Sequence, residues 1–325
     1  MRRRDFIALL GGAASLPFAA RAQVSTKRPL VAFLSVGMGR EGNDPLIAFE
    51  RNMREHGYAD GPNIDIEYGF AGGKLERFPA LAGELIRLSP NVILASVTPA
   101  AVAARALTQT IPIVCPLLAD PIRFGLIVSE SRPGRSVTGV LFRTEGLAGK
   151  QLELALQLMP GVVKIGFLVN VASGIIIDRQ ELESACQTLG ITSVPAEVRT
   201  PNDLEAAFQA LADDSVQAVI VLVDGLFYNE RNRIAALAEA KRLPAIYGFR
   251  DHVDAGGLVS YGVNLAENFH RSATYVHKIL KGAQPSDLPV EFPTKLELII
   301  NNKAAKVLGL ITPPSVLVRA DEVIE

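Results

Sequence analysis

The sequence predicts an α/β protein of two similar lobes, each a parallel sheet with helices on both faces. Three observations carry this. The chain has 325 residues, and domains of roughly 100–200 residues give a prior of about two. Apolar residues are 49% and charged residues 21% of the chain, which excludes a disordered polymer and calls for a large core. Short apolar runs alternate with helically spaced stretches in two successive series, the pattern of parallel sheets with crossover helices.

The first series opens at residues 29–36, an apolar run that reads as a buried strand. Residues 45–56 have helical spacing, with Asn43 or Asp44 as cap and Pro45 at the first helical position. A strand at 64–68, a helix at 75–88, a strand at 91–97, a helix at 100–107 and a strand at 111–115 follow. The pattern then restarts with a strand at 164–169, a helix at 178–189 and a strand at 192–198. Thr200-Pro201-Asn202-Asp203 is a helix start: a Thr cap, an early proline and an acid in the first turn. A strand at 217–223, a helix at 229–241 and a strand at 244–247 complete the second series. Between the two lies the turn-rich Arg132-Pro133-Gly134-Arg135-Ser136.

The tail offers a strand at 257–261, a helix at 267–281, a strand at 296–300 and a helix at 303–308. That is too little for a third core, so these elements complete the existing sheets. The chain then crosses between lobes more than once, which makes a hinge. Lobe one is expected over residues 28–140, completed by about 255–285, and lobe two over 144–250, completed by about 290–325.

Lys plus Arg number 33 against 34 Asp plus Glu, so there is no electrostatic footprint for nucleic acid. Aromatics are 6% with no Trp. Two cysteines, Cys115 and Cys186, make neither a disulfide framework nor a four-cysteine zinc site.

Residues 1–22 read as an export signal. Arg2, Arg3 and Arg4 form a basic start, residues 6–20 are apolar and rich in small side chains, and Ala20-Arg21-Ala22 fits a cleavage site. Arg3-Arg4-Asp5-Phe6-Ile7 matches the twin-arginine pattern. The apolar run is too short for a lasting membrane anchor, and no later stretch is long and apolar enough to span a bilayer. Removing four Arg and one Asp leaves a mildly acidic exported chain.

Gly37-Met38-Gly39-Arg40-Glu41-Gly42 is a literal GxGxxG after the first strand, with Asp60, Asp65 or Glu67 at the distance of a ribose contact. A dinucleotide fingerprint puts its third glycine inside the helix. Here Pro45 marks the helix start, so all three glycines sit in a slack loop, and a ligand-facing loop is the better reading. Gly149-Lys150 fails the P-loop pattern because Thr144 stands where its first glycine belongs. His56, His252, His270 and His277 lack metal-site spacing, and His270 and His277 read as solvated surface. No cofactor is called for.

Several strand ends carry polar groups: Ser35, Ser96, Thr98, Asp120, Asn170 and Asp224. Ligands of open α/β sheets bind at the carboxyl ends of strands. Thr98-Pro99-Ala100 begins a helix whose free N–H groups favour a carboxylate, and Asp224 offers a partner for an ammonium from the other lobe. Each is also an ordinary cap or turn residue.

Further segments carry a resemblance. These are Glu55-His56-Gly57-Tyr58-Ala59-Asp60-Gly61-Pro62-Asn63-Ile64, Thr110-Ile111-Pro112-Ile113-Val114, Ala119-Asp120-Pro121, Arg132-Pro133-Gly134 with Val137-Thr138-Gly139, and Ala255-Gly256-Gly257-Leu258-Val259-Ser260-Tyr261-Gly262. The tail adds Ile279-Leu280-Lys281-Gly282, Leu288-Pro289-Val290, Pro293-Thr294-Lys295, Asn301 and Ala320-Asp321-Glu322-Val323-Ile324-Glu325. In this order they resemble the ABC transporter substrate-binding protein family that includes tryptophan- and tyrosine-binding members, over residues 28–325. The resemblance implies a type I periplasmic binding protein fold, with two Rossmann-like lobes, three hinge crossings and a ligand enclosed between them. It implies cleft loops at 35–41, 98–100 and 119–120 in lobe one and at 170–172 and 224–226 in lobe two. Hinges are implied near 138–144, 249–255 and 283–293. The ligand contacts so expected are Ser35, Gly37, Thr98, Pro99, Ala100, Ala119, Asp120, Asn170, Asp224 and Phe249.

The chain departs from the family at Ile122-Arg123-Phe124, where small residues are usual, and at Arg135-Ser136. Arg123 either faces the cleft and an acidic ligand or sits on the surface. The expected function is a periplasmic, monomeric, non-enzymatic solute-binding protein. It captures an amino acid or related small carboxylate by lobe closure and delivers it to an ABC permease in the inner membrane. The alternatives are a twin-arginine-exported nucleotide-dependent oxidoreductase and a ligand sensor for a membrane receptor.

Overall fold

The computed structural model describes residues 28–41, 43–142, 146–173, 177–293 and 296–325. The expected export signal lies outside them. Lobe one holds β1 (Leu30–Ser35), α1 (Asp44–Glu55), β2 (Asp65–Phe70), α2 (Phe78–Arg87), β3 (Val92–Ala95), α3 (Thr98–Leu107), β4 (Ile113–Leu118) and β5 (Val137–Leu141). Its five strands are parallel in the order β2-β1-β3-β4-β5.

Lobe two begins with α4 (Leu147–Leu158), β6 (Lys164–Asn170), α5 (Ile177–Thr188), β7 (Thr192–Val198), α6 (Leu204–Asp213) and β8 (Ala218–Val221). It continues with α7 (Gly225–Asn229), α8 (Arg231–Ala240), β9 (Ala245–Tyr247), α9 (Arg250–Asp254) and β10 (Val259–Val263). The chain then returns to lobe one as α10 (Leu265–Leu280), and ends in lobe two with β11 (Leu296–Asn301), α11 (Asn302–Leu308), α12 (Pro314–Leu317) and β12 (Glu322–Ile324). The second sheet runs β12-β11-β10-β9-β8-β6-β7.

Local chemistry explains the main elements. Asn43 caps α1 by accepting from Leu46 N at 3.2 Å, and Pro45 sits in the first turn. β1 and β3 are apolar at nearly every position because both faces of the sheet are covered. α10 is capped by Asn264, whose Oδ1 accepts from Glu267 N at 2.8 Å. It buries Phe269, Ala273 and Val276 against α1 and the underside of the lobe-one sheet, each large side chain contributing about 1.5–3 kcal/mol. Asn268 Nδ2 donates to Pro116 O and Leu141 O, both at 3.1 Å, so α10 is tied to β4 and β5. Gly139 on β5 has φ +149°, and a Cβ there would stand 1.9 Å from Cys115 O. Only glycine lets β5 approach β4 this closely.

The structure differs from the sequence reading in three places. The strand expected at 257–261 to complete lobe one instead pairs with β9 and β11 in lobe two. The return crossing therefore falls at Val263–Asn264–Leu265, not at 249–255. β11 runs antiparallel to β10, because the chain re-enters lobe two from the hinge side after its excursion through α10. The helix read at 229–241 is α8, and a short helix that the sequence reading did not give, α7, precedes it with Glu230 between the two. The first crossing leaves β5 after Leu141, and the third runs beside β5, where Leu141 N donates to Glu291 O at 2.9 Å. Among the described residues, no helix is long and apolar enough to cross a membrane.

Candidate functional site

The carboxyl ends of β1, β3 and β4 in lobe one face those of β8 and β9 in lobe two across a closed cleft. The centre of a water-sized sphere has about 70 Å³ to move in there, within about 770 Å³ of atom-free space that includes solvent at the mouth. Its walls are largely apolar, with Val36, Leu75, Val97 and Leu117 from lobe one, Val223 and Phe249 from lobe two, and Phe142 and Leu265 at the crossings. Asp224 is the one acid among the described lining residues, and no Lys, Arg or His lines it there.

The polar groups of lobe one are held by backbone. Ser35 Oγ accepts from Gly37 N at 3.0 Å, and Ser96 Oγ accepts from Val36 N at 3.1 Å. Both serines are 3% exposed and border the cavity. Each hydroxyl accepts one amide hydrogen and retains its own O–H to donate. Thr98 opens α3, with Pro99 next. Thr98 Oγ1 accepts from Ala119 N at 2.7 Å and lies 3.2 Å from Leu117 O. Its hydroxyl is thus committed to the β4 backbone, while the amino end of α3 faces the cleft.

In lobe two, Asp224 caps α7. Its Oδ1 accepts from Leu226 N at 2.7 Å and from Asn170 Nδ2 at 2.8 Å. Surrounding protein desolvates the carboxylate and pushes its pKa up to about 6, against the lowering effect of those hydrogen bonds. Phe249 and Tyr228 form an edge-to-face pair with ring centroids 5.9 Å apart. Tyr228 OH donates to Asp251 at 3.2 Å, which fixes the ring.

Of the residues expected from sequence, Ser35, Gly37, Thr98, Pro99, Asp224 and Phe249 line the cleft. Four others do not. Ala100 and Ala119 are fully buried in the core, Asn170 stands behind Asp224 as its donor, and Asp120 adopts φ +46° with its Oδ2 buried and unbonded. Arg123 is an exposed residue over the Phe124 ring, outside the cleft lining. His277 is not simply solvated surface: it stacks on His56 with centroids 4.3 Å apart. The sequence reading missed Tyr228, Asn229, Phe142 and Leu265. Tyr228 and Asn229 lie on the short α7, and the Asp224 cap before Gly225 was the available signal for that helix. In the GxGxxG stretch, Gly37 borders the cleft and Gly42 lies outside the described residues. Among the described residues, no group of three His, Cys, Asp or Glu side chains is arranged to hold a metal ion.

A sequence model of the ABC transporter substrate binding protein family matches residues 47–324. A tyrosine-binding protein of Clostridioides difficile is 27% identical over 266 residues, covering 81% of this chain and 75% of that protein. A conserved domain protein from Vibrio cholerae superposes with a TM-score of 0.86 at 26% identity, covering 91% of this chain and 100% of the other. A Streptococcus pneumonia ABC domain in complex with L-Trp superposes with a TM-score of 0.85 at 23% identity and the same coverage.

Proposed function

The chain belongs to the ABC transporter substrate binding protein family, and from that premise we propose that it captures an α-amino acid with an aromatic or bulky apolar side chain and delivers it to an ABC permease. The observation that carries this is the cleft lining: apolar walls, one carboxylate and no basic side chain among the described residues. Asp224 receives the ligand ammonium. The amino end of α3 and the Ser35 and Ser96 hydroxyls receive the carboxylate, as neutral donors suit an anion that brings its own cation. Tyr228 and Phe249 receive the side chain. Gly37, Thr98 and Pro99 shape the carboxylate end with Ala100, Ala119 and Asp120 behind it, and Asn170 supports Asp224 at the ammonium end.

Names of relatives support the same class: one is a tyrosine-binding protein and one holds L-Trp. Export by the twin-arginine signal at residues 1–22, residence in the periplasm, a monomeric state and a permease in the inner membrane complete the reading. Closure around the ligand shifts the lobes to the form the permease recognises.

The test is calorimetric titration of the mature protein with L-tyrosine, L-tryptophan, L-leucine and L-glutamate. Saturable binding of the apolar or aromatic amino acids with no response to glutamate is expected, because a second carboxylate would meet no cation. Tight binding of glutamate, or of none of the four, would overturn the proposed ligand class.

A further inference from the structure

Two close contacts across the cleft, one at each end of the five-residue α7, meet Val36 of lobe one. Asn229, at the end of α7, donates through Nδ2 to Val36 O at 3.2 Å. The same carbonyl accepts from Gly73 N at 2.8 Å. It is therefore fixed by its own lobe and offers its second lone pair across the gap. A Cβ on Gly73 would lie 3.8 Å from Asn229 Nδ2, so the amide sits against a loop without side chains.

Gly225 begins α7. A Cβ there would meet Val36 Cγ1 at 3.2 Å, Val36 Cγ2 at 3.5 Å and Val97 Cγ1 at 3.7 Å. All three atoms belong to lobe one. Gly225 is not among the glycines with positive φ, so its backbone accepts any L-residue. The nearest atoms a side chain there would crowd are thus those of the facing lobe, and anything larger than glycine presses on Val36.

We propose that Gly225 and Asn229 form the closure latch of the protein: Gly225 leaves the space into which Val36 and Val97 move, and Asn229 then bonds the Val36 carbonyl. Both are positioning residues. They act on the closed population and on ligand release, and they leave the folded lobes unchanged. This rests on the solute-capture reading but not on the identity of the solute. Asp224 couples the latch to the cleft, since it caps α7 and borders the cavity at once.

The experiment places spin labels at Leu107→Cys in lobe one and Leu189→Cys in lobe two. Both positions are exposed, whereas the native Cys115 and Cys186 are buried. Inter-label distances are measured without ligand and with L-tryptophan, in the otherwise unaltered protein and in Gly225→Val, Asn229→Asp and Asn229→Gln. L-tryptophan release is followed by its own fluorescence, which the Trp-free chain does not obscure. The expected result is a short distance that Gly225→Val abolishes and Asn229→Asp depletes, with thermal unfolding unchanged. Asn229→Asp releases L-tryptophan roughly three- to tenfold faster, the worth of one hydrogen bond, with little change in association. Asn229→Gln, which keeps the donor, restores part of the loss. Equal distances in the unaltered protein and both disabling variants would overturn the proposal, as would a long distance in every condition. A short distance that L-tryptophan does not promote, with no calorimetric response to it, leaves the latch standing and removes only the aromatic ligand.

Discussion

The Ala119 amide donates to the Thr98 hydroxyl at 2.7 Å, joining the first turn of α3 to the end of β4. Both residues are essentially inaccessible to solvent. Thr98→Val keeps the shape and deletes the acceptor, leaving a buried N–H unbonded at a cost of about 1–3 kcal/mol. Denaturant unfolding is expected to register that loss, and calorimetry a weaker affinity as the start of α3 loosens. Thr98→Ser retains the hydroxyl and should lie close to the native protein in both.

Asp224 gives binding a pH dependence. Its carboxyl titrates at about 6 in the folded protein, and only the ionised form attracts an ammonium. Affinity for an amino acid is expected to fall by about tenfold per pH unit below pH 6. Asp224→Asn should bind weakly with a flat profile. Calorimetry from pH 5 to 8 checks both, and a pH-dependent Asp224→Asn profile would assign the titration elsewhere.

Among the groups that tie stability to pH, Asp224 and His252 carry large shifts of opposite sign, beside a raised Asp251 and a lowered His277. The Asp224 pKa is raised from 3.8 to about 6, so the cost of burying its charge appears as pH rises through that interval. Burial lowers the His252 pKa from 6.5 to about 4, so its contribution is present above pH 6.5 and is lost as pH falls toward 4. Between pH 4 and 6 the two slopes oppose each other. Asp224→Asn should expose the histidine slope, with stability falling toward pH 4 by at most about 3 kcal/mol. His252→Gln keeps a donor for Phe227 O and should show the reverse, stability rising as pH falls from 6 to 4. Denaturation midpoints across this range separate them.

Gly139→Ala is expected to destabilise lobe one by about 3 kcal/mol or more, because its Cβ would overlap Cys115 O and its φ is unfavourable for an L-residue. The clearest readout is thiol labelling. Cys115 is fully buried, with its thiol pKa pushed up to about 12, so it should react only in the variant.

Phe249→Leu preserves an apolar core residue while removing the ring that Tyr228 meets edge-on. The melting temperature should move by a few degrees, as a near volume-conserving change costs less than about 1.5 kcal/mol. Affinity for L-tryptophan should fall several-fold more than affinity for L-leucine. Equal losses for both would place the aromatic subsite away from Phe249.

Much of the fold was legible in the chain because its signals are local. Asn43 with Pro45 marks the start of α1, Pro99 lies in the first turn of α3, and Thr200 with Asp203 forms the capping box before α6. Apolar runs mark β1, β3 and β8. Ser35, Thr98 and Asp224 were legible for the same reason, since each lies at or just beyond a strand end, whereas Phe249 was expected only from the family resemblance. Asn170 and Asp224 show the limit of that rule. Asn170 ends β6 and Asp224 follows β8 in lobe two, yet only Asp224 borders the cavity, and Asn170 stands behind it as a donor.

By itself the sequence determined the alternation of strands and helices, their caps, and the presence of two lobes, because backbone torsions and burial periodicity are set within a few residues. Tertiary structure alone decided that β10 joins β9 and β11 and that β11 runs antiparallel. Strand pairing is made by backbone hydrogen bonds, which are alike at every residue, so a strand does not name its partner. The same holds for Gly225 and Val36: their contact spans two lobes, and a side chain at Gly225 meets Val36 only in the closed arrangement.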